Sequence, residues 1–169
     1  MESKKQSKQV CFALDESKHS VHALSWVFVN LLKPGDKLNT IVIVDHEEDV
    51  EPTKSRAKTL LRAVWESHVV DVYMSLTVLT GKPGKQICNY VKEVSPDTLV
   101  LGSAGKTHVE GLMVGSVSNY CIANASCAVV VVRLTEKVEH RGRELTVEES
   151  DRIAKRSCSP YWFDEKHKV

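Results

Sequence analysis

Residues 40–44 read Thr-Ile-Val-Ile-Val, so every side chain in this run is β-branched. Such a run is typical of a strand that lies inside a parallel sheet and is covered on both faces. Other short apolar or alternating segments have the same character. The five predicted strands cover 10–14, 40–44, 70–78, 98–101 and 128–132. The chain is therefore expected to build its core around a parallel sheet.

The segments between the predicted strands carry apolar residues at helical spacing. The four predicted helices lie within 21–31, 57–64, 87–94 and 117–125. Parallel strands need crossover connections, which place helices on both faces of the sheet. We therefore predict an α/β fold, a doubly wound five-stranded parallel sheet with helices on both faces. Ligands of such folds bind beyond the carboxyl ends of the strands, which directs attention to Asp15, Asp45 and Gly102.

Composition excludes several classes of protein and of site. The 169 residues, 42% hydrophobic and 27% charged, are typical of one globular domain. A net charge of +1 gives no general electrostatic argument for binding nucleic acid. The sequence has no apolar run long enough for a signal peptide or a membrane span, so we expect a cytoplasmic protein without a membrane partner.

The five cysteines are odd in number and never spaced as C-x-x-C, so neither a disulfide framework nor a zinc knuckle is indicated. Four of them lie in apolar segments, and we expect these to be buried as small hydrophobic residues. They are Cys11, Cys88, Cys121 and Cys127. Cys158 lies in a polar tail and is the candidate for an exposed, reactive thiol.

The chain divides into three predicted parts: a polar N-terminal arm (1–8), one domain (9–134) and a charged C-terminal extension (135–169). Within the extension, Thr146 and Glu149 have the spacing of a capping box, which predicts a short helix. Residues 161–163, Tyr-Trp-Phe, could anchor the extension on the domain or bind a protein partner. A disordered charged tail is the alternative.

A glycine-spaced segment follows the fourth predicted strand. Residues 102–105 read Gly-Ser-Ala-Gly, and residues 115–118, at the start of the fourth helix, read Gly-Ser-Val-Ser. Glycines let the backbone approach a ligand closely, and a helix N-terminus offers unpaired N–H groups to phosphate. The two halves together predict a polyphosphate site. The alternatives are a tight turn after the strand and a helix cap at Ser116 or Ser118.

Two better-known phosphate motifs do not fit this segment. Residues 105–107, Gly-Lys-Thr, imitate the end of a Walker A loop, but the glycine required five positions before Gly105 is replaced by Val100. The dinucleotide pattern G-x-G-x-x-G is also absent, because Gly102 is followed by Ser-Ala. Any phosphate site here must therefore have a different arrangement.

The glycine spacing resembles a known signature. The pattern G-x2-G-x9-G-[ST] belongs to the ATP-binding universal stress proteins, and Gly102, Gly105, Gly115 and Ser116 match it. Over roughly 8–133 the strand ends also follow the order of that family. The resemblance implies an adenine nucleotide alpha hydrolase-like sheet with strand order 3-2-1-4-5. It also implies an ATP-binding module in stress response and signalling.

The resemblance further implies a nucleotide site. The Asp15 carboxylate would accept hydrogen bonds from ribose hydroxyls, and backbone at Ile43 or Val44 would meet the adenine edge. The implied nucleotide-binding residues are Ala13, Leu14, Asp15, Ile43, Val44, Leu101, Gly102, Ala104, Gly105, Gly115, Ser116, Val117 and Ser118. The family often has arginine or histidine where this chain has Ala104, so one polar contact with the nucleotide would be missing.

The acidic loop 45–51 is expected near the same sheet edge and would repel a bare triphosphate. Mg²⁺ bound through the phosphates is therefore the implied companion of ATP. A solvated loop whose carboxylates favour the N-terminus of the second helix is the alternative. We find no general base and no arginine finger, so no catalytic residue is assigned and any ATP hydrolysis is expected to be slow.

With strand order 3-2-1-4-5, the fifth strand lies at an edge of the sheet. Its apolar residues 129–132 would be left unpaired, and such an edge invites pairing with a second copy. We therefore predict a homodimer through this strand. A dimeric interaction scaffold without nucleotide and a slow ATP hydrolase are the two alternative functions.

Overall fold

The computed structural model describes residues 7–68, 70–103 and 114–133. Its elements are β1 (Gln9–Ala13), α1 (Lys18–Asn30), β2 (Lys37–Val44), α2 (Val50–His68), β3 (Tyr73–Thr80), α3 (Pro83–Val94), β4 (Thr98–Gly102), α4 (Ser116–Asn124) and β5 (Ala128–Val132), with a short 3-10 turn (Glu47–Asp49) before α2. The predictions for most of the N-terminal arm, for Ala104 and Gly105, and for the extension lie outside these residues. No described helix is long and apolar enough to cross a membrane.

The five described strands form one parallel sheet in the order β3-β2-β1-β4-β5. The predicted fold class and strand order are therefore confirmed. The chain moves from β1 through β2 to β3 in one direction, and β4 then returns to the other side of β1. This reversal places the switch in strand order beside β1, where the fold offers a crevice at the carboxyl edge.

Two apolar layers cover the two faces of the sheet. On one face, Phe12 of β1 packs in a cluster with Leu24 of α1 and Leu61 of α2. On the other face, Leu99 of β4 lies in a cluster with Val91 of α3 and with residues of α4. Because both faces are covered, each central strand is apolar on both sides, which explains the unbroken β-branched run in β2.

The third strand starts later than its sequence pattern suggests. The alternation begins at Val70, but β3 begins at Tyr73. The intervening carbonyl groups are used elsewhere: Val70 accepts from the indole N–H of Trp65 at 2.7 Å, and Asp71 accepts from the N–H of Gly35 at 2.8 Å. These contacts tie the segment to α2 and to the α1–β2 turn before the strand ladder starts.

The described cysteines all pack in or against the α3/α4 face of the sheet. Cys11, Cys88 and Cys121 are buried, as predicted, whereas Cys127 is only half-buried, so the prediction was wrong for that residue. Burial raises the pKa of Cys11 from 9.0 to about 12 and the pKa of Cys121 to about 12. These two thiols therefore stay protonated at neutral pH and act as packing groups.

Candidate functional site

The loop after β1 is held by a short network of hydrogen bonds. The N–H of Asp15 donates to the hydroxyl of Ser20 at 3.2 Å, and that hydroxyl donates to the carbonyl of Ala13 at 3.4 Å. The carboxylate of Asp15 accepts from the N–H of Ser17 at 3.0 Å. Ser17 in turn caps α1, since its hydroxyl accepts from the N–H of Ser20 at 3.2 Å. Asp15 is thus fixed at the carboxyl edge, directly before the first turn of α1.

The end of β2 distinguishes between Ile43 and Val44 as backbone partners for a ligand. The last bond between β1 and β2 runs from the N–H of Leu14 to the carbonyl of Ile41 at 2.9 Å. Backbone groups two residues apart in a strand point the same way, so those of Ile43 face the gap beyond the end of β1. Val44 faces β3, where its carbonyl accepts from the N–H of Gly81 at 3.0 Å. The geometry therefore favours Ile43.

Gly102, at the end of β4, has a packing role that sequence reasoning missed. A Cβ atom placed on Gly102 would lie 3.0 Å from the carbonyl carbon and oxygen of His19 and 3.1 Å from the nitrogen of Ser20. The first turn of α1 therefore fills the space beside this glycine. The residue allows α1 and β4, and with them the Asp15 network, to approach closely.

The N-terminus of α4 lies beside the same strand end. Gly115 precedes the helix, and its own N–H donates to the carbonyl of Ser103 at 2.8 Å. Its carbonyl accepts the first intrahelical bond, from Asn119 at 2.9 Å. The three N–H groups between them, at 116–118, therefore have no acceptor within the helix, and helix N-termini with such groups are common sites for anions.

The two serines of this turn have different surroundings. Ser118 is buried, and its hydroxyl donates to the carbonyl of Gly102 at 3.0 Å. Ser116 is exposed at the start of the helix. The Ser118 side chain thus holds α4 to β4, while Ser116 is accessible to solvent at the helix end.

The hydrogen bond between Ser103 and Gly115 also closes the base of the glycine-spaced segment. Ala104 and Gly105, which complete the first predicted half-site, lie outside the described residues. The structure brings together Asp15, the backbone of Ile43, Gly102 and the N-terminus of α4 around the end of β1. A family model described as the universal stress protein family matches residues 6–133.

The chain belongs to the universal stress protein family.

Curated relatives and solved structures agree with this assignment. A universal stress protein A-like protein of Arabidopsis thaliana is 38% identical over 66 residues, which are 39% of this chain and 38% of that protein. A universal stress protein family protein from Arabidopsis thaliana, solved with AMP bound, has a TM-score of 0.58 at 21% identity, covering 76% of this chain and 93% of that one. A universal stress protein from Archaeoglobus fulgidus in complex with dAMP has a TM-score of 0.55 at 16% identity, covering 75% and 97%.

At such identities the solved structures establish a shared fold. The match between this universal stress protein and four curated relatives spans only between 24% and 47% of their lengths. The similarity to these four relatives is therefore limited to the part of each that matches this domain.

The described carboxyl edge of this universal stress protein is rich in acidic groups. Asp45, Glu47, Glu48 and Asp49 are all exposed beyond the end of β2. Glu47 accepts from the hydroxyl of Thr80 at 2.7 Å. Carboxylate oxygens suit Mg²⁺, but among the described residues no three His, Cys, Asp or Glu side chains converge on a common point. A magnesium ion here would therefore rely mainly on the phosphate groups of a nucleotide.

Sequence reasoning also missed the residues that support Asp15. Ser20 has no role in the sequence-based prediction, yet its buried hydroxyl bridges Ala13 and Asp15. Arg56 of α2 was not considered, although it contacts the same loop through Glu16. A serine at the third position of α1 is a weak sequence signal for the Ser20 contacts. No local sequence pattern marks the contact between Arg56 and Glu16.

Proposed function

We propose that this universal stress protein binds ATP with Mg²⁺ in the crevice at the carboxyl edge of its sheet and serves as a stress-response signalling module. The observation that carries the proposal is the convergence around the end of β1. Three groups from neighbouring segments meet there: the carboxylate of Asp15, the backbone of Ile43 and the N-terminus of α4. These groups suit the ribose, the base and the phosphates of one adenine nucleotide.

Each group has a proposed role. The Asp15 carboxylate accepts hydrogen bonds from ribose hydroxyls. One of its oxygens already accepts from the N–H of Ser17, but a carboxylate can accept several hydrogen bonds at once. The backbone of Ile43 pairs with the adenine edge. The N–H groups at 116–118 bind phosphate, helped by the positive end of the α4 dipole. Ala13, Leu14, Val44 and Leu101 shape the crevice, and Ala104 and Gly105 complete the proposed phosphate loop.

Membership of the family and the nucleotides bound in the solved relatives support this proposal. AMP and dAMP share the adenine base and a 5′-phosphate with ATP. Mg²⁺ supplies positive charge to the phosphates beside the acidic loop. We assign no general base among the described side chains and propose binding with at most slow hydrolysis, so a turnover on the order of 1 s⁻¹ or faster would contradict the proposal.

We further propose that the protein works in the cytosol as a homodimer. β5 is hydrogen bonded to β4 on one side and lies at the edge of the sheet, and Val129, Val130 and Val131 are only half-buried. An apolar edge strand of this kind is a template for pairing with a second copy. Light scattering at micromolar concentration tests this, and a monomer would contradict it. The extension 135–169 is proposed to contact a protein partner.

The nucleotide proposal is tested on freshly purified protein. Denaturation followed by chromatography identifies any nucleotide carried through purification, and thermal unfolding is then measured with ATP, ADP and AMP in the presence of Mg²⁺. At a ligand concentration about one hundred times Kd, we expect stabilisation of about 2.7 kcal/mol. No released nucleotide and no stabilisation would favour the scaffold function instead.

The matched variants are Asp15→Asn and Asp71→Asn. Asp71 is an exposed carboxylate two residues before β3, at the amino ends of the parallel strands. Both changes remove one negative charge and preserve size. We expect Asp15→Asn to weaken nucleotide binding about ten-fold, which corresponds to about 1.4 kcal/mol, and Asp71→Asn to leave it unchanged.

A further inference from the structure

Glu16 has a backbone conformation that is unfavourable for its residue type. Its φ angle is 63°, in the left-handed region, and it lies between Asp15 and the helix cap Ser17. Residues other than glycine, asparagine and aspartate seldom adopt this conformation, and it persists where the surroundings hold it. A glutamate in this conformation therefore needs a contact that holds it there.

The backbone of Glu16 determines how the Asp15 carboxylate is held. The N–H of Ser17 donates to the Oδ1 of Asp15 at 3.0 Å, and this hydrogen bond spans Glu16. Rotation about the φ and ψ bonds of Glu16 moves Ser17 relative to Asp15, because these are the soft torsions of the intervening residue. A return of Glu16 to the right-handed or extended region would turn the N–H of Ser17 away from the carboxylate.

Arg56 of α2 holds the Glu16 side chain. The Nε of Arg56 lies 3.1 Å from the Oε1 of Glu16, and its Nη2 donates to the hydroxyl of Thr53 at 2.9 Å. Thr53 is buried, and Ala57, next to Arg56, is buried in the apolar cluster that packs on the sheet. The guanidinium is thus anchored on a packed helix, and the Glu16 carboxylate is tied to a different element of the fold.

The contact between Arg56 and Glu16 contributes little to the stability of the fold. The Arg56 side chain is 57% exposed, and ion pairs at such exposure add little to the free energy of unfolding. A small energy is nevertheless enough to shift one residue between two backbone conformations, since populations respond to modest differences in free energy. We therefore expect the contact to affect the loop at 15–17 more than the fold.

We propose that Arg56 is a positioning residue of the nucleotide site: through Glu16 it keeps the loop in the conformation that presents the Asp15 carboxylate to the ribose. This inference rests on the proposed function, because it uses the role assigned there to Asp15. In this arrangement neither Arg56 nor Glu16 has to touch the nucleotide. Without the arginine, Glu16 populates other conformations, and the apparent affinity falls with the fraction of chains in which the turn is formed.

The first test compares two substitutions of Glu16 in the full chain. Glu16→Ala and Glu16→Gly both remove the carboxylate that contacts Arg56, but only glycine adopts a positive φ without steric cost. We expect Glu16→Ala to bind ATP with Mg²⁺ about three-fold more weakly than Glu16→Gly, as measured by isothermal titration calorimetry. Equal affinities of these two variants would overturn the inference, because the backbone conformation of residue 16 would then not affect binding.

The second test removes the arginine. We expect Arg56→Gln to weaken ATP binding about three-fold, and Glu16→Gly to restore most of this loss when it is added to Arg56→Gln. Arg62→Gln is the matched control and should leave the affinity unchanged, since Arg62 pairs with Glu66 on its own helix at 2.8 Å. If Glu16→Gly does not restore binding, Arg56 does not act through the backbone of Glu16 and the inference is wrong.

A change of ligand separates positioning from a general structural role. 2′,3′-Dideoxy-ATP lacks both ribose hydroxyls and so offers the Asp15 carboxylate no ribose donor. Arg56→Gln should therefore lower the ratio of ATP affinity to dideoxy-ATP affinity about three-fold, because only the ligand with hydroxyls uses the positioned carboxylate. Damage to the fold would weaken both ligands alike, so an unchanged ratio would contradict the inference.

The failure of the inference and the failure of the proposed function give different results. If the original chain binds ATP and neither Arg56→Gln nor Glu16→Ala changes the affinity, the inference alone is wrong. If no adenine nucleotide binds to the original chain, the proposed function fails and the inference fails with it. Thermal unfolding of each variant verifies that the compared proteins are folded.

Discussion

The hydroxyl group of Ser118 donates to the carbonyl oxygen of Gly102 across 3.0 Å. This bond joins the first turn of α4 to the end of β4, sixteen residues earlier in the chain. It therefore sets the position of the helix N-terminus relative to the crevice. The same hydrogen bond therefore stabilises the packing of α4 on β4 and positions one part of the candidate site.

Replacing Ser118 with alanine should destabilise the protein by about 1 kcal/mol, because the hydrogen bond from this buried residue to the carbonyl of Gly102 is lost. Ser116→Ala, at an exposed position of the same turn, is the control and should change stability by less than about 0.5 kcal/mol. Urea unfolding measures both values. Equal losses for the two variants would contradict the assigned contact.

Gly102→Ala should destabilise the protein by about 1–3 kcal/mol, because the new methyl group meets the backbone of His19 at 3.0 Å. Gly35→Ala provides a comparison with a different cause. Gly35 has a φ of 88° and open space around it, so only backbone strain opposes the change, at about 1 kcal/mol. We expect displaced Ser20 and Asp15 amide signals in an NMR spectrum of Gly102→Ala only; undisturbed signals would argue against the packing role.

Gly84 and Tyr120 form a testable pair between α3 and α4. A Cβ atom on Gly84 would lie 2.7 Å from the Cδ1 of Tyr120, so Gly84→Ala should cost about 1–3 kcal/mol in the original chain. In a Tyr120→Ala background the clash is gone and the better helix propensity of alanine remains, at up to about 1 kcal/mol. The effect of Gly84→Ala should then become neutral or stabilising. A double-mutant cycle in urea with no coupling would refute the contact.

The buried thiols predict a loss of stability at alkaline pH. Burial raises the pKa of Cys11 and Cys121 in the folded state from 9.0 to about 12, so the unfolded chain releases these protons first. Their contribution is complete below about pH 9 and is lost as the pH rises towards about 12. Thermal unfolding between pH 8 and 11 should therefore show a steeper decline for the original chain than for the Cys11→Ala, Cys121→Ala double variant. Parallel curves would show that other groups control the decline.

Local sequence patterns determined the fold class. The β-branched run of β2 and the helical spacing in α1 are short-range consequences of which faces must be buried, so each can be read without knowing its neighbours. The strand order required the family resemblance, because strand pairing depends on residues far apart in the sequence. The beginning of β3 shifted because the carbonyls of Val70 and Asp71 bind groups on other elements.

For the candidate site, the sequence alone located the strand and helix ends. The sequence selects Asp15 and Gly102 because each stands where a predicted strand ends. It selects Gly115 because a predicted helix starts there. Only the tertiary structure decided that the backbone of Ile43 faces the crevice, that the Ser118 hydroxyl points inward and that Arg56 reaches Glu16 across forty residues. These orientations and contacts depend on strand register and on packing between segments that are distant in the sequence. Local residue preferences determine neither the register nor the packing.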